Sequence, residues 1–83
     1  MKFIAEIDIM PLKTLLDPQG KAVSASMDNL GLSEITNVRI GKHISLEIDA
    51  ENKEIANKKV TEACNKLLSN QIMESFEFTI KNL

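Results

Sequence analysis

One stretch constrains the fold of this chain more than any other. Between residues 38 and 48 the apolar residues Val38, Ile40, Ile44, Leu46 and Ile48 all fall on even positions, with Lys42 the one polar exception. Asn37, Arg39, His43, Ser45, Glu47 and Asp49 take the odd positions. A period of two is the mark of a β-strand with one buried face. Gly41-Lys42 invites a two-residue hairpin loop, but that loop would set residues 40 and 43 side by side on one face. Ile44, Leu46 and Ile48 would then be thrown onto the other. The phase carries straight through, which predicts one long strand over about Asn37–Ile48, bent at Gly41 where the missing side chain tolerates a bulge. A three-residue hairpin over Gly41-Lys42-His43 also keeps the phase and stays open as the alternative. A strand of about twelve residues is long for a small domain, so one of its halves is expected to pair with another subunit.

The flanking segments supply the remaining layers. Residues 2–10 alternate, with Phe3, Ala5, Ile7 and Ile9 on one side and Lys2, Glu6 and Asp8 on the other, as in a half-buried strand. Asp17-Pro18-Gln19-Gly20 reads as a helix start, because Asp17 can accept from first-turn amides and Pro18 loses nothing at the first helical position. Val23, Met27 and Leu30 follow at helical spacing, and Gly31 suits the left-handed residue that ends such a helix. A second amphipathic helix is expected over about Glu51–Ser69, with the stripe Ile55, Ala56, Val60, Ala63, Cys64, Leu67 and Leu68. Asp49 is its expected cap, Asn52 the competitor, and Asn70 its end. A last strand, Ile72–Ile80, puts Phe76, Phe78 and Ile80 on the core side. The order is strand, helix, long bent strand, helix, strand. It predicts an α+β two-layer sandwich, two helices on one face of an antiparallel sheet, related to the ferredoxin-like plan, with residues 1–83 as a single domain.

Composition narrows the function classes. Of the 83 residues, 43% are hydrophobic, enough for a core and against disorder. The net charge of −2 and the absence of Trp and Tyr argue against a nucleic-acid partner, which would ask for a basic face and stacking rings. RNA binding through Phe76 and Phe78 would moreover need those rings exposed. Glu6 and Asp8 interrupt any leader-like apolar core, and no run is long enough for a membrane span, so a reducing cytoplasm is the expected compartment.

Candidate chemistry is sparse. The single thiol, Cys64, lies on the apolar stripe of the second helix, where a core role is the plain reading. The single imidazole, His43, lies on the polar side of the long strand with no neighbouring base or nucleophile evident. The pairs Glu51/Glu54 and Glu74/Glu77 lack the histidine or carboxylate cluster of a metal site and read as solvated faces. Catalytic and metal-binding residues are therefore expected to be none. Two features ask for more. Gly20 inside a first helical turn costs about 1 kcal/mol against alanine, which points to a local packing need or to the close approach of another backbone or ligand. Arg39, the only arginine, stands two residues before Gly41 on the outward side and is a candidate interface anchor.

Read as strings, these features carry a resemblance. Leu16-Asp17-Pro18-Gln19-Gly20-Lys21-Ala22-Val23, Val38-Arg39-Ile40-Gly41-Lys42 and Glu62-Ala63-Cys64-Asn65-Lys66-Leu67-Leu68-Ser69-Asn70, followed by Glu74-Ser75-Phe76, resemble in order and spacing the elements of the PurS family. That family is the small subunit of phosphoribosylformylglycinamidine synthase. Asn37, Gln71 and Ser75 depart from its usual residues, all at loop or strand edges. The resemblance implies a non-catalytic bridging subunit of a multi-subunit carbon–nitrogen ligase in de novo purine biosynthesis. There a glutaminase subunit releases ammonia, and a large synthetase subunit uses ATP and Mg to add it to the formamide group. The small subunit holds the two together, helps ammonia pass and binds no cofactor itself. Asp17, Gln19, Gly20, Arg39 and Lys42 are then the expected partner-facing or assembly residues, and self-association as a dimer or tetramer is expected. A small-ligand regulatory module of ferredoxin-like type, taking an amino acid at a dimer interface, is the alternative from a different class.

Overall fold

The structure, a computed structural model, describes residues 1–83. The first strand, β1 (Lys2–Pro11), is the centre of a three-stranded antiparallel sheet of order β2-β1-β3, with β2 at Lys42–Asp49 and β3 at Glu74–Asn82. Its inward residues Phe3, Ala5, Ile7 and Ile9 are at most 1% exposed. In register, Ala5 faces Leu46 and Ile80, and Ile7 faces Ile44 and Phe78, so the two middle rows of the core face are apolar across all three strands. Phe76 and Phe78 stack along β3 with ring centroids 6.3 Å apart. Two helices, α1 (Pro18–Asn29) and α2 (Lys53–Ala63), complete the order β-α-β-α-β of an α+β, ferredoxin-like plan.

The helices share this plan unequally. The second packs Ala56, Val60 and the following Cys64 into the core and contacts β1 and β3. No comparable contact joins α1 to any strand. Its only buried residue is Gly20, and Val23 and Met27 are half-buried. The chain is accordingly elongated, 52 × 26 × 14 Å, with a radius of gyration of 16.4 Å. A compact domain of this length would measure about 12 Å.

The expected long strand is corrected. Its ordered pairing starts at Lys42, opposite Ile9, and residues 37–41 lie outside the sheet. The backbone reason is local. Asn37 adopts φ 57°, which breaks the extended run, and the amides of Val38 and Ile40 are taken by side chains of the α1 region. The even phase persists because Val38 and Ile40 are half-buried there, not because they continue the ladder. Gly41 is neither a bulge within a strand nor a hairpin loop. It is the point where the incoming chain passes against the Ile9 carbonyl and the Met10 sulfur, too close for any Cβ. With the strand shortened to 8 residues, its length no longer argues for pairing with another subunit.

Ends of the other elements also shift. Asn52, not Asp49, caps α2, its Oδ1 accepting from the Ile55 amide at 2.9 Å, while Asp49 lies 3.3 Å from the amino terminus. The helix then widens into a π-turn, Cys64–Leu68, closed when the Ser69 amide and hydroxyl both donate to the Cys64 carbonyl. The Asn70 carbonyl accepts from the amides of Met73 and Glu74, making a turn that delays β3 by two residues and leaves Ile72 83% exposed. Gly31 does adopt the left-handed conformation at φ 76°. The Leu32 amide donates to Met27 and the Gly31 amide to Asp28, which satisfies the last carbonyls of α1.

With only 10 buried residues, the core has little redundancy. Ile7→Ala should therefore lower unfolding stability by about 2–5 kcal/mol in a urea titration. Leu67→Ala, at a side chain 82% exposed, should stay within about 0.5 kcal/mol of the parent.

Candidate docking site

The α1 start and the 38–41 segment form one built junction, and Asp17 is its hinge pin. Asp17 is the N-cap of α1: its Oδ1 accepts from the Gly20 amide at 3.0 Å. The other oxygen, Oδ2, accepts from the Ile40 amide at 2.9 Å, across 23 residues of chain. A second cross-tie runs from the Val38 amide to Ser24 Oγ at 3.1 Å. The amides of Gly20 and Ile40 hold the Asp17 carboxyl below the usual carboxylate range, with the Arg39 charge adding to the effect.

Gly20 is explained by the same junction. A Cβ there would run into the Val38 carbonyl oxygen, deep inside van der Waals contact, and would stand 2.7 Å from Asp17 Oδ2. Close approach of another backbone is thus the reason for a glycine in the first turn, and that backbone belongs to this chain. The Arg39 guanidinium donates to the Pro11 carbonyl at the end of β1. Arg39 therefore ties the 38–41 segment to the central strand.

Of the expected site residues, Asp17, Gly20 and Arg39 come together at this junction. Gln19 is next to them on the first turn of α1 with its side chain exposed. Lys42 stands apart at the start of β2, its Nζ 3.9 Å from Glu74 of β3. Beside the junction an open concavity of about 910 Å³ runs between the 12–16 loop, α1 and residues 35–39. Leu12, Leu16 and Ile35 line it with Lys13, Lys21 and Arg39 and with Asp17 and Asp28, a mixed apolar and charged surface.

Ser24 was not singled out by sequence reasoning, since an exposed-looking serine inside a helix carries no periodic signal. The surroundings of His43 were missed too. Its ring nitrogens lie 2.7 Å from Asp8 Oδ1 and 2.6 Å from Glu6 Oε2, on the open face of the sheet. Antiparallel pairing of the two polar strand faces was the available clue. Both nitrogens are engaged by carboxylates and the Ser45 hydroxyl donates to Glu6, so no hydroxyl is bonded to the imidazole. Cys64 is fully buried, and burial pushes its thiol up, away from the reactive thiolate.

Fold and site together define a small α+β domain of ferredoxin-like plan whose most constrained surface is a helix start braced against an extended segment. The family model described as "PurS: Phosphoribosylformylglycinamidine (FGAM) synthase" matches residues 4–82. Among curated relatives, the PurS subunit of that synthase from Synechocystis is 36% identical over 84% of this chain and 70% of its own length. The Thermotoga maritima PurS subunit is 35% identical over 86% and 87%. Among solved structures, a chain of PurLQS from Thermotoga maritima superposes with a TM-score of 0.89 at 32% identity, over 98% of this chain and 99% of that one. Bacillus subtilis PurS gives 0.86 at 29% identity, over 96% and 99%. The chain belongs to the PurS family.

Two substitutions test the junction. By helix propensity alone Gly20→Ala would gain about 1 kcal/mol. The clash with Val38 should reverse the sign and cost about 1–3 kcal/mol in chemical denaturation. The lowered Asp17 pKa contributes stability above the unfolded value of about 3.9, lost as pH falls through the folded value. Asp17→Asn should accordingly flatten the acid limb of a stability-versus-pH curve below about pH 4.

Proposed function

We propose that this chain is the non-catalytic bridging subunit of phosphoribosylformylglycinamidine synthase, holding a glutaminase subunit and a large synthetase subunit together in purine biosynthesis. The observation that carries this reading is its superposition on a chain of the Thermotoga maritima PurLQS structure over nearly its whole length. In the proposed complex, glutamine hydrolysis supplies ammonia and ATP with Mg activates the formamide oxygen on the synthetase. This chain brings no cofactor and helps ammonia pass by keeping the two subunits in register. The chemistry of its own residues agrees. Cys64 is buried with a raised pKa, and the His43 ring is occupied by two carboxylates.

Docking then rests on the junction. Asp17, Gly20 and Arg39 shape the surface from within, while Gln19 and Lys42 meet the partners directly. Self-association as a dimer or tetramer fits the elongated form and the half-buried Phe76, Phe78, Ile44 and Leu46, which α2 alone does not cover. The proposed compartment is the cytoplasm.

Reconstitution tests the proposal. Mixed with both larger subunits, Mg-ADP and glutamine, the chain should co-elute in one complex, and glutamine-dependent product formation should require it. Absence of a complex together with unchanged activity on leaving the chain out would sink the idea. Gln19→Ala and Lys42→Ala should keep the parent circular dichroism spectrum and urea midpoint. Each should weaken assembly by on the order of tenfold, as expected where a partner-facing side chain contributes about 1.4 kcal/mol. Calorimetric binding of glutamine or glycine by the isolated chain would instead favour a regulatory ligand module.

A further inference from the structure

Three polar side chains on the open face of the sheet make an arrangement that the docking reading does not use. His43 at the start of β2 lies between two carboxylates of β1, with Nδ1 2.7 Å from Asp8 Oδ1 and Nε2 2.6 Å from Glu6 Oε2. A neutral imidazole carries a single N–H, so it can satisfy only one of these acceptors and must turn a lone pair toward the other. The imidazolium donates to both. The geometry therefore selects the charged ring.

The position of this bridge gives it a consequence. Asp8 pairs with His43 in the β1–β2 register, one step before the ladder ends at Ile9 and Lys42. Upstream of Lys42 the chain has no strand partner, and its amides hang on Asp17 and Ser24. The bridge thus fastens the last rung but one before an unpaired segment, on an edge strand. We propose that His43 is a protonation-dependent clamp which locks the first residues of β2 onto β1 and lets that end of the strand fray when the ring loses its proton.

The surrounding charges support the clamp. From β1 the ring is faced by Glu6 and Asp8, with Glu77 of β3 paired against Asp8 beyond them. Lys81 of β3 acts on Glu6, and from its own strand Ser45 donates to Glu6 Oε1 at 2.7 Å. Lys42 and Glu47 are turned to Glu74 and Lys2, and α2 packs against the sheet's other face. Carboxylates thus outnumber cations around the ring. Hydrogen bonds first to Asp8 and then to Glu6 raise the His43 pKa, and those to Ser45 and then His43 lower that of Glu6. With a raised folded value, the contribution of the clamp is complete below the unfolded pKa of about 6.5. It disappears as pH rises through the folded value.

The test uses the isolated full chain and does not depend on any partner. Ring ¹⁵N shifts read the His43 titration, and amide exchange reads the protection of residues 42–45 relative to residues 46–48 in the same sample. His43 should titrate above about 6.5, and relative protection should fall across that step, tenfold for each pH unit by which folding raises the pKa. Glu6→Gln combined with Asp8→Asn should return the titration to the ordinary value. His43→Lys, which keeps a cation at all these pH values, should show flat relative protection. A wild-type titration at or below the ordinary value overturns the clamp. So does a pH-dependent loss of protection in His43→Lys equal to that of the parent.

Discussion

The central position of β1 governs everything downstream of it. As the central strand it has both backbone edges paired and four inward residues almost wholly buried, so the rest of the chain must return to it twice. The two returns flank it on opposite sides, so β2 and β3 are the edge strands and each keeps one unpaired edge. Only one helix comes back over the sheet. A core of this size cannot bury the outer part of its own apolar face. The half-buried state of Phe76, Phe78, Ile44 and Leu46 is the direct result.

The other helix is fixed at its start by polar contacts, with only Val23 and Met27 half-buried among its large apolar side chains. Asp17 does with one carboxylate what a packed face does elsewhere: it closes the first turn of α1 and fixes the extended segment beside it. Since both acceptor oxygens are used, shortening or neutralising this residue disturbs two elements at once. Gly20 belongs to the same argument, because the tie is possible only where the two backbones nearly touch. Propensity for helix loses there to steric need, by a margin that one methyl group would expose.

Much of this was legible in the sequence, and the exceptions share a cause. The strand phases of β1 and β3, the Asp17 cap, the Gly31 stop and the buried stripe through Ala56, Val60 and Cys64 all follow from local periodicity or capping chemistry. The error at residues 37–41 arose because alternation reports burial on alternate sides and not the identity of the partner. Val38 and Ile40 alternate correctly against a helix start, where the pattern suggested a sheet. Asn52 displaced Asp49 as a cap because the strand register had already committed Asp49 beside the amino terminus. At the candidate site, the string from Leu16 to Val23 marked Asp17 and Gly20, but their tie to Val38 and Ile40 is a long-range contact. His43 gained its partners in the same way, through a register that no single segment specifies.

The two faces of the sheet therefore face different demands from assembly. On the core side, adding a partner surface would finish burying rings and aliphatic chains already half out of water, and so would add to a stability margin that ten buried residues leave thin. On the open side the rows carry Glu6, Asp8, His43, Ser45, Glu77 and Thr79, whose burial would cost the desolvation of several charges unless the partner matched them. The apolar face is thus where binding free energy is available, and the charged face is where mismatched contacts are penalised. That division favours one orientation of a partner at the core face and disfavours its inverse.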